Sequence, residues 1–109
     1  MYNFDYKKSL GQNFLKDNNV IDKIVSTINY EDNNLVIEIG PGSGAMTKEL
    51  LKRVDFAILY EIDTRLEKIL FKELSDYVNY ELIFDDFLKR NIGNDLSKYN
   101  YDNLYIVAN

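Results

Sequence analysis

The sequence contains no cysteine, no histidine and no tryptophan, and it has a single proline. Without cysteine there can be no disulfide bond or cysteine-bound zinc, and without histidine there can be no histidine general base, catalytic triad or histidine metal site. Chemistry must therefore use carboxylates, amides, lysines, tyrosines, backbone groups or a bound cofactor. No apolar run reaches the roughly 18 residues of a membrane span, and the N-terminus lacks the apolar core of a secretory signal. The sequence favours a cytoplasmic protein.

The remaining composition is that of an ordinary globular domain. The chain has 109 residues, 46% of them hydrophobic and 28% charged, which suits one folded domain with a single core and argues against wholesale disorder. The net charge is −5, and this acidic balance argues weakly against nucleic acid as the main ligand of the segment.

The hydrophobic pattern predicts alternating strands and helices. Helical spacing predicts amphipathic helices over residues 17–28, 45–53 and 64–75, the last with Leu66, Ile69, Leu70 and Leu74 facing inward. Short apolar runs predict strands over residues 35–39, 56–62, 80–84 and 103–108. This alternation indicates βαβ units and an α/β fold with a mainly parallel sheet covered on both faces. We expect the N-terminal part of one domain, in which residues 1–34 form an N-terminal segment and helix and residues 35–109 form a cofactor-binding βαβ core. Because the chain stops directly after the fourth strand, we expect a fragment of a longer protein.

A glycine-rich loop between the first strand and the next helix is the strongest local signal. Gly40, Gly42 and Gly44 permit a sharp turn and let a ligand approach the backbone. Glu61 follows 21 residues after Gly40, at the tip of the second strand, where a carboxylate can accept hydrogen bonds from both ribose hydroxyls. Loop and acid together predict a nucleoside-binding site.

The identity of the nucleoside stays open at this level. Gly40, Gly42 and Ala45 also satisfy the dinucleotide fingerprint, so an NAD-binding oxidoreductase is an alternative. Two details favour S-adenosylmethionine. Pro41 removes a backbone donor that a pyrophosphate would use, and Glu38 places a carboxylate near the loop, where it would repel a pyrophosphate but suit a cationic ammonium or sulfonium.

Two further strand tips carry polar side chains. Asp85 and Asp86 follow the third strand and can accept a hydrogen bond from an adenine amine, although one of them can equally cap a helix beginning at Phe87. Asn109 follows the fourth strand, at the same edge of the predicted sheet.

Five segments resemble the ribosomal RNA adenine N6-dimethyltransferase family. They are Lys8-Ser-Leu-Gly-Gln-Asn-Phe-Leu15, Val36-Ile-Glu-Ile-Gly-Pro-Gly-Ser-Gly44, Tyr60-Glu-Ile-Asp63, Asp86-Phe-Leu88 and Val107-Ala-Asn109, in that order. The first segment resembles the small-subunit (16S) rRNA branch more than the macrolide-resistance branch. The resemblance implies a Rossmann-like S-adenosylmethionine-dependent methyltransferase fold, truncated after its fourth strand.

The resemblance also implies roles for individual residues. Gly40 would start the loop beside the cofactor, Glu61 would hold the ribose, and Asp86 would hold the adenine amine. Asn13 and Leu15 would close over the methionine end of the cofactor. Asn109 would bind cofactor and begin the family's Asn-Leu-Pro-Tyr catalytic motif.

The implied reaction is N6-dimethylation of adjacent adenines near the 3′ end of small-subunit rRNA, with the small ribosomal subunit precursor as partner and no metal or membrane. A family member acting only as an RNA-binding assembly factor is a second alternative. Because the catalytic motif stops at Asn109, we expect these 109 residues to lack activity by themselves. We also expect self-association through an open sheet edge.

Overall fold

A computed structural model describes residues 18–30 and 33–108, which form four strands and four α-helices. The strands are β1 (Asn34–Ile39), β2 (Phe56–Tyr60), β3 (Tyr80–Ile83) and β4 (Asn103–Ala108). The helices are α1 (Asn18–Ser26), α2 (Ala45–Leu51), α3 (Glu67–Glu73) and α4 (Ile92–Leu96), and single 3-10 turns occupy Thr64–Leu66 and Phe87–Lys89. None of the helices in the described ranges is long and apolar enough to cross a membrane.

The four strands form one parallel sheet in the order β3-β2-β1-β4. The chain builds outward from β1 to β3 and then returns, so that β4 pairs with β1 on its free side, with Glu38 opposite Val107. This reversal of direction leaves a crevice at the carboxyl ends of the strands, where ligands bind in open α/β sheets. The predicted α/β Rossmann-like fold and its parallel sheet are confirmed.

Alternating side chains on the strands build a core on each face of the sheet. On β1, Val36 points to one face while Leu35 and Ile37 point to the other. The first face packs against α1, α2 and α3 through buried residues that include Ile21, Val25, Met46, Leu50, Leu70 and Leu74. The second face packs against α4 and an aromatic group that includes Phe56, Phe87, Tyr99 and Tyr101. Helical cover on both faces explains why the strands read as continuous apolar runs.

The third predicted helix differs from the structure in two respects. It is divided into the turn Thr64–Leu66 and α3, and Ile69, predicted to face inward, is 47% exposed. Leu66, Leu70 and Leu74 are buried and lie four residues apart, so they form a single stripe. Ile69 precedes Leu70 by one residue, or about 100° around the helix, and this turns it away from the sheet.

Helix α4 was not predicted, because five residues are too few for a clear periodic signal. Its start is nevertheless marked in the sequence. The side chain of Asn91 accepts a hydrogen bond from the Asn94 N–H at 3.0 Å, and Ile92 and Leu96 share the face that packs on the sheet.

Candidate functional site

A cavity of about 370 Å³ opens at the carboxyl ends of β1, β2 and β3. Its lining comes from the last residues of β1 and β2 and from residues that follow the three strands: Ile39, Gly40, Tyr60, Glu61, Ile62, Asp85, Asp86, Phe87 and Leu88. The structure thus brings Gly40, Glu61 and Asp86 together at one site. Asn13, Leu15 and Asn109 lie outside the described residues. A second hollow, of about 500 Å³, is lined by α4 and by the segment that leads to β4, and it shares no residue with this cavity.

The glycine loop adopts a conformation that favours glycine at three positions. The φ angles are +74° at Gly40, +61° at Gly42 and +89° at Gly44, a region that costs other residues about 1–2 kcal/mol. The Gly40 N–H donates to the Tyr60 carbonyl at 2.8 Å, which joins the loop to the end of β2. The loop backbone is therefore held against the next strand while it borders the cavity.

Glu61 is 3% exposed, and both of its carboxylate oxygens accept backbone hydrogen bonds. Oε1 accepts from the Gly42 N–H at 3.1 Å, and Oε2 accepts from the Asp63 N–H at 3.0 Å. A carboxylate offers about four lone-pair sites, so two remain for hydroxyl donors in the cavity. The sequence predicted a strand-tip acid here, but its second task, fixing the glycine loop, depends on a contact across 19 residues.

Glu38 lies beneath the glycine loop and is fully buried. Its Oε1 accepts a hydrogen bond from the Thr47 hydroxyl of α2 at 2.5 Å, and within the described part of the chain its Oε2 has no hydrogen-bond partner. Burial raises the pKa of Glu38 from 4.5 to about 7, the Thr47 hydrogen bond opposes the rise, and the charge of Glu61 adds to it. The sequence interpretation treated Glu38 as a full charge near the ligand. In the structure this carboxyl is buried, and burial disfavours its charged form.

Asp86 serves as the cap that was considered from the sequence. Its Oδ1 accepts from the Leu88 N–H at 3.0 Å, at the start of the turn Phe87–Lys89. The cap and a ligand contact can coexist, because the carboxylate keeps further acceptor sites and borders the cavity.

An ionic cluster beside the cavity was missed from the sequence. Arg90 contacts Asp95 through two hydrogen bonds, Nε to Oδ2 at 3.0 Å and Nη2 to Oδ1 at 2.8 Å. Its Nη1 donates to Asp85 Oδ2 at 3.2 Å, and the Tyr60 hydroxyl donates to Asp95 Oδ2 at 2.8 Å. The hydrogen bonds from Arg90, which are the largest cause, lower the pKa of Asp95. Burial opposes this fall, and the hydrogen bond from Tyr60 adds to it. No local pattern announces the cluster, since it joins β2, the β3–α4 loop and α4.

Metal ligation finds no support in the part of the chain that the structure describes, where no three acidic side chains are grouped to hold an ion. The polar groups of the cavity are instead hydrogen-bond acceptors from Glu61, Asp85 and Asp86, set among apolar side chains. A lining of hydrogen-bond acceptors among apolar side chains suits an organic ligand that carries hydroxyl or amine donors.

Curated relatives match the chain over almost its whole length. Ribosomal RNA small subunit methyltransferase A of Staphylococcus haemolyticus is 43% identical over 110 residues, covering 99% of this chain and 37% of that protein. The protein of the same name from Bacillus pumilus is 50% identical over 92 residues, covering 84% of this chain and 32% of that protein. The chain therefore spans about a third of the length of these relatives.

Solved structures give the same picture. The 23S rRNA methyltransferase ErmE is 40% identical with a TM-score of 0.64, covering 71% of this chain and 32% of that one. A dimethyladenosine transferase from Plasmodium falciparum is 29% identical with a TM-score of 0.67, covering 88% of this chain and 33% of that one. The family model for ribosomal RNA adenine dimethylase matches residues 3–109. With its parallel sheet, glycine loop and strand-tip carboxylates, the chain belongs to the ribosomal RNA adenine dimethylase family.

Proposed function

We propose that this chain forms the cofactor-binding part of an S-adenosylmethionine-dependent rRNA adenine N6-dimethyltransferase. The observation that carries the proposal is the convergence of Gly40, Glu61 and Asp86 on one cavity, in a member of this family. The three residues are separated by 21 and 25 positions in the sequence, and the parallel sheet is what brings them to one edge.

The residues of the cavity fit an adenosine. Its volume of about 370 Å³ lies within the usual range of small-molecule sites, roughly 300–1,000 Å³. Glu61 offers acceptors to the two ribose hydroxyls, and Asp86 offers an acceptor to the exocyclic amine. Ile62 and Leu88 are 68% and 89% exposed at the rim, so a purine bound there would cover apolar side chains that now face water.

The methionine end would lie beside Gly40, where the glycine loop has no side chain to block approach to its backbone. We carry Asn13 and Leu15 over from the resemblance as residues that close on this end, and Asn109 as the residue nearest the reacting amine. Glu38 beneath the loop supplies a buried carboxyl whose ionised form a nearby cationic group would favour.

When bound, S-adenosylmethionine would supply a methyl group on a sulfonium sulfur. The thioether that leaves is neutral and needs no protonation. The protein must then orient an adenine amine toward that methyl group, and this requires no strong base. The side-chain oxygen of Asn109 would accept one N–H bond of that amine. A site of this kind is compatible with a sequence that lacks histidine.

The substrate that we infer is small-subunit rRNA, with two methyl groups added to each of two adjacent adenines near its 3′ end. The names of the curated relatives support the small subunit, as does the Gly11–Leu15 segment, whereas ErmE is a 23S enzyme. A net charge of −5 favours few contacts to RNA phosphates. We therefore expect most RNA binding to come from regions that correspond to the part of the relatives outside the matched segment.

The proposal is tested in two assays on the protein at its natural length. Calorimetry with S-adenosylhomocysteine and with NADH is expected to show binding of the first alone, and the reverse result would favour an oxidoreductase. Transfer of labelled methyl groups from S-adenosylmethionine to undermethylated small ribosomal subunits is expected to reach about two per adenine. Cofactor binding without any transfer would favour a non-catalytic assembly factor.

A further inference from the structure

The turn that carries Asp86 has little internal support. Between β3 and α4 it contains one three-residue 3-10 turn, and four local hydrogen bonds hold it. The Asp85 side chain accepts from the Asp86 N–H at 2.7 Å and the Asp86 side chain accepts from the Leu88 N–H at 3.0 Å. Two backbone bonds run from the Lys89 and Arg90 N–H groups to the carbonyls three residues earlier, at 2.9 and 3.2 Å. Side chains from this turn, including Asp85, Asp86 and Phe87, nevertheless form one wall of the cavity. Contacts to packed structure outside the turn add to these bonds, because so short a 3-10 segment is marginal on its own.

Arg90 provides that connection. Its guanidinium makes two parallel hydrogen bonds to Asp95, the strong and directional arrangement for this pair, and a third to Asp85. Asp95 is 8% exposed and belongs to α4, so the anchor lies in packed structure while Asp85 lies in the turn. The Arg90 side chain thereby joins the turn to α4.

The same cluster reaches the ribose side of the cavity. The Tyr60 hydroxyl donates to Asp95 at 2.8 Å, and Tyr60 directly precedes Glu61. The ring of Tyr60 also meets Phe87 edge to face, with centroids 5.1 Å apart. Arg90 therefore sets the turn relative to the end of β2, which carries the carboxylate that we assign to the ribose.

We propose that Arg90 is a positioning residue for adenine recognition: by joining Asp85 to Asp95 it holds the turn so that Asp86 faces the exocyclic amine of the cofactor. Arg90 touches neither cofactor nor substrate in this role. The inference rests on the proposed function, and it adds a determinant of purine selectivity that the family motifs quoted above do not contain.

The readout is selectivity between two ligands that differ at the purine 6-position. S-adenosylhomocysteine presents an amine to Asp86, whereas S-inosylhomocysteine presents a carbonyl oxygen that a carboxylate repels. The selectivity ratio is the dissociation constant of S-inosylhomocysteine divided by that of S-adenosylhomocysteine. Measured by calorimetry on the protein at its natural length, this ratio reports the placement of Asp86. A general loss of folding would weaken both ligands together.

Arg90→Gln is expected to weaken S-adenosylhomocysteine roughly tenfold and to leave S-inosylhomocysteine within about twofold, so the ratio falls. Arg90→Lys keeps the charge but cannot make the paired hydrogen bonds to Asp95. Its selectivity ratio is expected to lie between those of Arg90→Gln and the wild type. Lys89→Gln is the matched control, since it removes the same charge from the same turn and leaves the contacts to Asp85 and Asp95 intact. It is expected to keep the wild-type ratio.

Equal weakening of both ligands in Arg90→Gln, or an equal fall of the ratio in Lys89→Gln, would overturn the inference. If circular dichroism shows that Arg90→Gln does not fold, Arg90→Lys decides, because it keeps the charge and loses the paired hydrogen bonds to Asp95. A fall of about two- to threefold in its ratio is expected, and an unchanged ratio would count against Arg90. Failure of the wild type to bind S-adenosylhomocysteine would instead contradict the proposed function itself.

Discussion

Replacing Glu38 with glutamine is expected to change how the stability of the fold depends on pH. Glu38 is fully buried, and its pKa rises from 4.5 to about 7 chiefly because burial disfavours the charged form. Glutamine has nearly the same shape, and its carbonyl oxygen can accept the hydrogen bond from Thr47 that Glu38 Oε1 accepts now. Unlike the carboxyl group, it has no charge to bury at any pH.

The sign and size follow from proton binding. Between pH 4.5 and about 7 the folded protein keeps a proton on Glu38 that the unfolded chain releases, so the stability of the wild type falls as the pH rises through this window and then levels off. Each pKa unit corresponds to about 1.4 kcal/mol, so a rise from 4.5 to about 7 lowers the free energy of unfolding by roughly 3 kcal/mol across the window. Glu38→Gln should therefore gain up to roughly 3 kcal/mol relative to the wild type between about pH 4.5 and pH 8.

Urea unfolding followed by circular dichroism, at several pH values and constant ionic strength, measures this difference. Carboxyls whose pKa is lowered, such as those of Glu81 and Asp95, titrate alike in both proteins and cancel. Glu67→Gln, which removes an exposed carboxylate, is the control and should run parallel to the wild type. If the Glu38→Gln curve were also parallel, the reasoning about a neutral buried carboxyl would be wrong.

Three further predictions concern the site and the sheet edge. Glu61→Ala should weaken S-adenosylhomocysteine binding by roughly 10- to 100-fold in calorimetry, because a charge-assisted bond is worth about 1.5–3 kcal/mol; an unchanged constant would remove Glu61 from the site. Gly44→Ala should lower the free energy of unfolding in urea by about 1–2 kcal/mol, since φ is +89° although a methyl group would meet Leu70 at an ordinary 3.5 Å; unaltered stability would argue against strain. The chain should self-associate at high concentration in light scattering, because among the described strands β4 pairs only with β1 and Ile106 is 56% exposed. Ile106→Lys should reduce that association, and a monomeric wild type would contradict the prediction.

The alternation of strands and helices and the position of the glycine loop could be predicted from the amino-acid sequence. These features depend on local signals: apolar runs of strand length, the helical spacing of Leu66, Leu70 and Leu74, and glycines where φ must be positive. The carboxyl ends of parallel strands meet at one edge, so the grouping of Gly40, Glu61 and Asp86 could also be predicted once the sheet was expected to be parallel.

The protonation and the hydrogen-bond partners of these groups depend on long-range packing, which the sequence pattern does not encode. The raised pKa of Glu38 comes from burial under α2, and the second role of Glu61 comes from its bond to Gly42. The contacts of Arg90 join three elements whose relative placement no local pattern encodes. Packing sets the solvent exposure and the long-range partners of each polar group, and those two quantities fix its charge and its orientation.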